Sequence, residues 1–204
     1  MANMSIGTPR FYPDLINYLM SRGIAQNGNF DVKATGGSST SASRGIQTGT
    51  EAELFDMNPL NKVDFDTSGD TDSQVLITID TQGATAKSFV AILNHNTDTA
   101  DAKIRINASD TESDVTTVDM GGATLSPSCT NVVNGAASTN IITPGADGST
   151  IVTFAESTLR YWGIQFEGDS SNTFGSTDLF VGCILIGEYF DAPNAPDLSI
   201  NRSI

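Results

Sequence analysis

The stretch that decides the fold is LFVGCILI, residues 179–186. It is an unbroken apolar run, far short of the roughly 18 residues a membrane span needs. Its β-branched and aromatic content suits a strand buried on both faces. Working back from it, YWGIQF at 161–166 alternates and places Trp162 on the face opposite Tyr161 and Gly163. That is the position of a sandwich-core tryptophan rather than of an exposed aromatic platform. IVTF at 151–154, AKIRI at 102–106, FVAIL at 89–93 and VLITI at 75–79 have the same texture. AKIRI sets small or apolar residues against charged ones, as a half-exposed strand does. Loops of Gly, Asp, Ser and Thr separate these six strands, and no helical pattern alternates with them. The expectation is an all-β, antiparallel β-sandwich rather than a parallel α/β sheet.

Residues 1–61 read differently. Leu15, Ile16, Leu19 and Met20 recur at helical spacing within PDLINYLMSR, residues 13–22. Pro13 suits the first helical turn and Gly23 the stop. GGSSTSASRGIQTG at 36–49 is too polar to bury anything and reads as a linker. The chain therefore divides, on this reading, into an N-terminal arm (1–61) with one short helix and a flexible linker, and a sandwich domain (62–204) with an exit segment. Residues 107–150 are small and polar, which fits a long loop or short strands with an insertion.

Composition narrows the partners. Lys and Arg total 10 against 24 Asp and Glu, a net charge of −14 over 204 residues. That field repels phosphate backbones and anionic lipid, so neither nucleic acid nor membrane is expected. The start, MANMSIGTPRFYPD, lacks a basic region followed by an apolar core, so no secretory leader is expected. Of the two cysteines, Cys183 sits inside an apolar strand as a small core residue, and a disulfide with Cys129 is not the favoured reading.

Catalytic chemistry finds little support. His95 is the only histidine, which removes every two-histidine metal site. It follows a strand in LNHNTD, and no Gly-x-Ser-x-Gly elbow supplies a nucleophile; a hydrogen-bonded turn histidine is expected. No glycine-rich phosphate loop is present, so no nucleotide cofactor is expected. The nearest approach to a cation loop is DFDTSGDTD at 64–72, with Asp64, Asp66, Asp70 and Asp72. It opens like a calcium loop, but Val75 stands where the bidentate Glu belongs. No metal is assigned; calcium at those aspartates is the one cation the pattern admits. Asn107-Ala-Ser109 and Asn201-Arg-Ser203 match the glycosylation pattern.

The strand texts also carry a resemblance. SFVAILNHNTDTADAKIRI from Ser88, LRYWGIQFEG at 159–168 and LFVGCILIGEYFDAPNAPD at 179–197 together resemble the galactose-binding-like (discoidin-type) jelly rolls of bacteriophage tail proteins. The matching features are the Leu93–Asn96 turn, the Arg160–Trp162 strand start and the exit from Ile186 to Pro193. The resemblance implies a virion structural protein of the tail, baseplate or tail tip, present in several copies, and hence located in the particle. Its partners would be copies of itself and other virion proteins. Phe11, Tyr12, Leu15 and Leu19 of the arm, with Tyr189, Phe190, Pro193 and Pro196 of the exit, are the expected inter-subunit contacts. The rival reading is a carbohydrate-binding or receptor-binding surface module, with a surface glycan as partner and Phe174 as a loop-tip aromatic. Capsid decoration or head–tail connection shares the same fold logic. A hydrolase ranks behind all of these, and the chain is not expected to be an enzyme.

Overall fold

The computed structural model of the chain describes residues 8–16, 30–36, 45–71, 73–82, 85–116 and 127–193. In chain order the strands are β1 (Arg10–Phe11), β2 (Phe30–Gly36), β3 (Ile46–Thr48), β4 (Val63–Phe65), β5 (Ser73–Asp80), β6 (Lys87–His95) and β7 (Ala102–Ser109). After a single helical turn, α1 (Glu112–Val115), come β8 (Cys129–Val133), β9 (Gly135–Ser138), β10 (Ile141–Pro144), β11 (Gly148–Ser157), β12 (Tyr161–Gly168), β13 (Leu179–Gly187) and β14 (Phe190–Asp191).

Two six-stranded sheets form, ordered β2-β5-β12-β7-β10-β9 (sheet I) and β3-β4-β13-β6-β11-β8 (sheet II), with β1 and β14 as a separate ribbon. Every described strand pairing is antiparallel. The chain passes between sheets at nearly every connection, so strands adjacent in sequence face one another across the core. The fold is the expected antiparallel β-sandwich. The six strands read from the sequence are the inner ones, β5-β12-β7 in sheet I and β13-β6-β11 in sheet II.

The division at residue 61 does not survive. β2 pairs with β5 from Phe30↔Ile79 to Gly36↔Ser73, and β3 pairs with β4. Ile16, Leu54 and Phe55 are fully buried in the inter-sheet core, and Ile46 of the supposed linker packs against it. One apolar residue in a polar run is enough for an edge strand when its partner strand is already in place. Residues 107–150 likewise contain strands, β8, β9 and β10, the outer members of both sheets. Of the helix expected over 13–22, residues 13–16 are described and 15–16 are helical; residues 17–22, with Leu19, lie outside the described residues.

Alternation builds the core. Val75, Ile77 and Ile79 of β5, Ile104 and Ile106 of β7, and Trp162, Ile164 and Phe166 of β12 meet Val90 and Ile92, Val152 and Phe154, and Ile184 and Ile186 of sheet II. Trp162 is fully buried, stacks on Phe154 (centroids 5.2 Å, 25°) and donates its indole N–H to the Leu159 carbonyl at 2.9 Å. The tryptophan's polar edge is thus satisfied without leaving the core. Along β6 the alternation is reset at Asn94, which takes φ 53° and donates its side-chain amide to the Pro59 carbonyl at 2.5 Å. Facing it, Gly182 leaves no room for a side chain: a Cβ there would lie 2.3 Å from that same carbonyl. Both cysteines are free, Cys183 buried as expected.

Trp162→Ala removes the largest buried side chain from this core. Its unfolding free energy in urea should fall by about 3–5 kcal/mol; a loss below about 1 kcal/mol would contradict the packing described.

Candidate binding surface

The two ends of the sandwich differ in chemistry. At one end the connections β4–β5, β6–β7 and β12–β13 are tied together by backbone hydrogen bonds, and β10–β11 joins them through a side chain. Gly69 N–H donates to Gly175 O (2.6 Å), Phe174 N–H to Asp70 O (2.9 Å), Gly175 N–H to Ala100 O (2.7 Å) and Asp169 N–H to Asp101 O (2.8 Å). Asp178 Oδ1 accepts the amides of Thr67 (3.0 Å) and Ser68 (2.8 Å), and Asp147 accepts both the amide and the hydroxyl of Thr99. The aspartates proposed for a cation do not converge. Among the described residues no three His, Cys, Asp or Glu side chains form a metal-holding group. Asp66 is exposed and Asp72 lies outside the described residues. The turn is closed by the Asp178 carboxylate accepting backbone N–H groups. Phe174 is not a loop-tip aromatic: it is 2% exposed and belongs to the core.

His95 closes the same end. It is 1% exposed, with Nε2 2.9 Å from the Thr150 hydroxyl and Nδ1 2.8 Å from the Thr97 hydroxyl. Burial pushes its imidazolium down to about 4, against the pull of Asp147. It is therefore neutral near pH 7, a structural link between β6 and β11.

At the opposite end, Arg160 grips Asp80 with two bonds of 2.7 Å, and its amide donates to Asp110. Fully buried Lys87 donates to the Thr81 hydroxyl at 3.0 Å. Burial lowers its ammonium to about 8, while Asp110 and Asp80 act the other way.

Phe11, Tyr12, Tyr189 and Phe190 gather beside this second end. β1 and β14 pair as Arg10↔Asp191 and Phe11↔Phe190. Arg10 holds Asp191 through Nε–Oδ1 (2.6 Å) and Nη2–Oδ2 (2.9 Å) and lies 4.0 Å over the Tyr189 ring. Arg10 keeps the Asp191 carboxyl below the usual range. Phe11 stacks on Phe190 (5.3 Å, 27°), yet these rings remain 50% and 54% exposed. Tyr12 packs edge-on against Phe89 (5.1 Å), and Tyr12 and Tyr189 cover a second apolar cluster of Phe89, Ala91, Cys183 and Leu185 on the outer face of sheet II. Asp14 Oδ1 accepts the Ile186 amide at 3.2 Å. Gly187 permits the approach, since a Cβ there would stand 2.3 Å from the Pro13 carbonyl.

Of the expected contact residues, then, Phe11, Tyr12, Tyr189 and Phe190 come together within one chain. Leu15 is buried, Pro193 is exposed at the ribbon's end, and Leu19 and Pro196 lie outside the described residues. Between the ribbon and the β5–β6 connection runs a groove of about 300 Å³. Phe190, Pro13, Leu15, Ala86 and Gly187 supply apolar lining, while Asp14, Glu188 and Thr85 supply polar groups. Thr85 and Glu188 carry no pattern of their own in the sequence.

No protein-family model matches the chain, and no curated protein does. Among solved structures it is similar to a chitosan-binding module from a chitosanase/glucanase of Paenibacillus sp. IK-5, with 15% identity, 78% of this chain and 96% of that one covered, and TM-score 0.46. It is also similar to the CBM32 of AlyQ in complex with 4,5-unsaturated mannuronic acid (17%, 76% and 92%, 0.45). A third is CBM32-1 from a family 31 glycoside hydrolase of Clostridium perfringens (14%, 78% and 94%, 0.45).

The buried His95 gives a pH dependence with a definite sign. Its folded value of about 4 lies below the unfolded 6.5, so the unfolded chain binds the proton first and stability is lost as pH falls from 6.5 to 4. The loss from this group is about 3 kcal/mol. Urea titrations across that range should show it, and His95→Gln should flatten it; an unchanged slope would contradict the assignment.

Proposed function

We propose that this chain is a non-catalytic carbohydrate-binding module whose ligand occupies the groove beside the β1–β14 ribbon. The observation that carries this reading is the groove's composition: a half-exposed phenylalanine wall with two carboxylates and a hydroxyl, in a volume at the lower end for small-molecule sites. A sugar ring offers an apolar C–H face to an aromatic ring and hydroxyl donors to carboxylates. The lining contains no cation, and the chain's net charge is −14. Uronic or sulfated polysaccharides are therefore repelled, and the ligand class is neutral or amino sugars.

The test is affinity electrophoresis and calorimetry against N-acetylglucosamine tetramer, chitosan oligomers and alginate oligomers. Binding of the first or second, none of the third, and at least tenfold weaker binding by Phe190→Ala is expected. Unchanged affinity in Phe190→Ala would sink the proposal.

A second reading has its own observation. Exposed, stacked Phe11 and Phe190 form the kind of aromatic anchor that protein interfaces use. On this reading the chain is a virion subunit of a tail, baseplate, tail tip, decoration or connector structure, located in the particle. Light scattering distinguishes the two: a ring-sized oligomer that falls to monomer in Phe11→Asp/Phe190→Asp supports assembly, and a monomer in both speaks against it.

A further inference from the structure

The outer face of sheet I carries a polar block that the core does not require. In register, β12 sets Glu167 between Gln74 of β5 and Lys103 of β7, and sets Gln165 beside Arg105 of β7. Glu167 accepts from Arg105 Nη2 (2.8 Å) and from Gln165 Nε2 (3.1 Å), with Lys103 Nζ at 3.7 Å. The bond to Glu167 fixes the Gln165 amide orientation, since the flipped amide would set its oxygen against a carboxylate. Gln165 Oε1 is thereby aimed away and has no hydrogen-bond partner among the described residues; Gln74 Oε1 has none there either. Gln165 is 1% exposed. A buried acceptor without a donor is costly and rare, and here two lie in one patch.

We propose that this block is a second binding site, taking two hydroxyl groups of a polyhydroxylated ligand on Gln165 and Gln74. The inference rests on the carbohydrate reading but uses a different surface. The missing partners are donors, which excludes carboxylates and phosphates as the groups at these oxygens. The adjacent guanidinium and ammonium disfavour a cationic donor. Neutral O–H groups satisfy both conditions. The two glutamines are diagonal neighbours across β5 and β12, about 7–8 Å apart, a span that hydroxyls of one saccharide can bridge. Both oxygens are themselves covered, so a ligand reaches them by displacing the Lys103 and Arg105 side chains, which keep 18% and 29% exposure. Their N–H groups not used on Glu167 remain to donate to ring or hydroxyl oxygens.

The experiment is a titration of the full chain with N-acetylglucosamine tetramer, read by calorimetry and by the NMR signals of the glutamine side-chain amides. The signals of Gln165 and Gln74 should move, and Gln165→Leu, which removes the unsatisfied acceptor together with the amide bonded to Glu167, should weaken that site at least tenfold. Gln74→Leu serves if Gln165→Leu does not fold. Loss confined to Phe190→Ala, with glutamine signals unmoved, would overturn this site and leave the groove standing. Loss confined to Gln165→Leu would do the reverse. Ordered water alone on both oxygens in a crystal grown with the tetramer would also overturn it.

Discussion

Everything else in the molecule depends on one packing constraint: β5, β12 and β7 must present alternate apolar side chains to β13, β6 and β11 across a single dry layer. Trp162 and Phe154 sit stacked within that layer. Because the side-chain period along a strand is two, committing one face of each strand to the core leaves the other face free to differ. A slip of one residue in β12 would exchange Trp162, Ile164 and Phe166 for Tyr161, Gln165 and Glu167. The register is therefore fixed by burial before any turn is considered.

The free faces were used in opposite ways. Sheet II carries a second apolar cluster outward, capped by Tyr12 and Tyr189 from segments far apart in the chain. Sheet I carries the glutamine, glutamate, lysine and arginine block. The ends are divided as well. One is sealed by backbone hydrogen bonds and a neutral histidine. The other carries ion pairs, a buried lysine and the groove. A chain with net charge −14 keeps its local cations paired: Arg10 with Asp191, Arg160 with Asp80, Arg105 with Glu167. The groove lining is left acidic.

How much of this was legible follows from the strength of each local signal. The inner strands were legible because a strand buried on its core face needs runs such as VLITI and LFVGCILI. The outer strands were not, because β3, β8 and β9 are short, polar or glycine-containing and are held by partners rather than by their own pattern. β2 did carry alternating Phe30, Val32 and Ala34, a signal passed over because the surrounding segment read as an arm. Phe11, Tyr12, Tyr189 and Phe190 were conspicuous as aromatics outside any core strand, and they do form one surface. That they form it with each other was not legible. Pairing between residues about 180 positions apart is decided by topology, and the only local hint was one cation and one anion, Arg10 and Asp191. The turn that carries the calcium-like spacing at Asp64–Asp72 is closed by Asp178, remote in sequence and so not legible from the spacing.

The most direct test of the binding account is a crystal structure of the full chain grown with N-acetylglucosamine tetramer. The account predicts saccharide density in the groove, one ring against Phe190 and hydroxyls within hydrogen-bond distance of Asp14, Glu188 or Thr85. Density at the acidic loop end, with the groove empty, would contradict it.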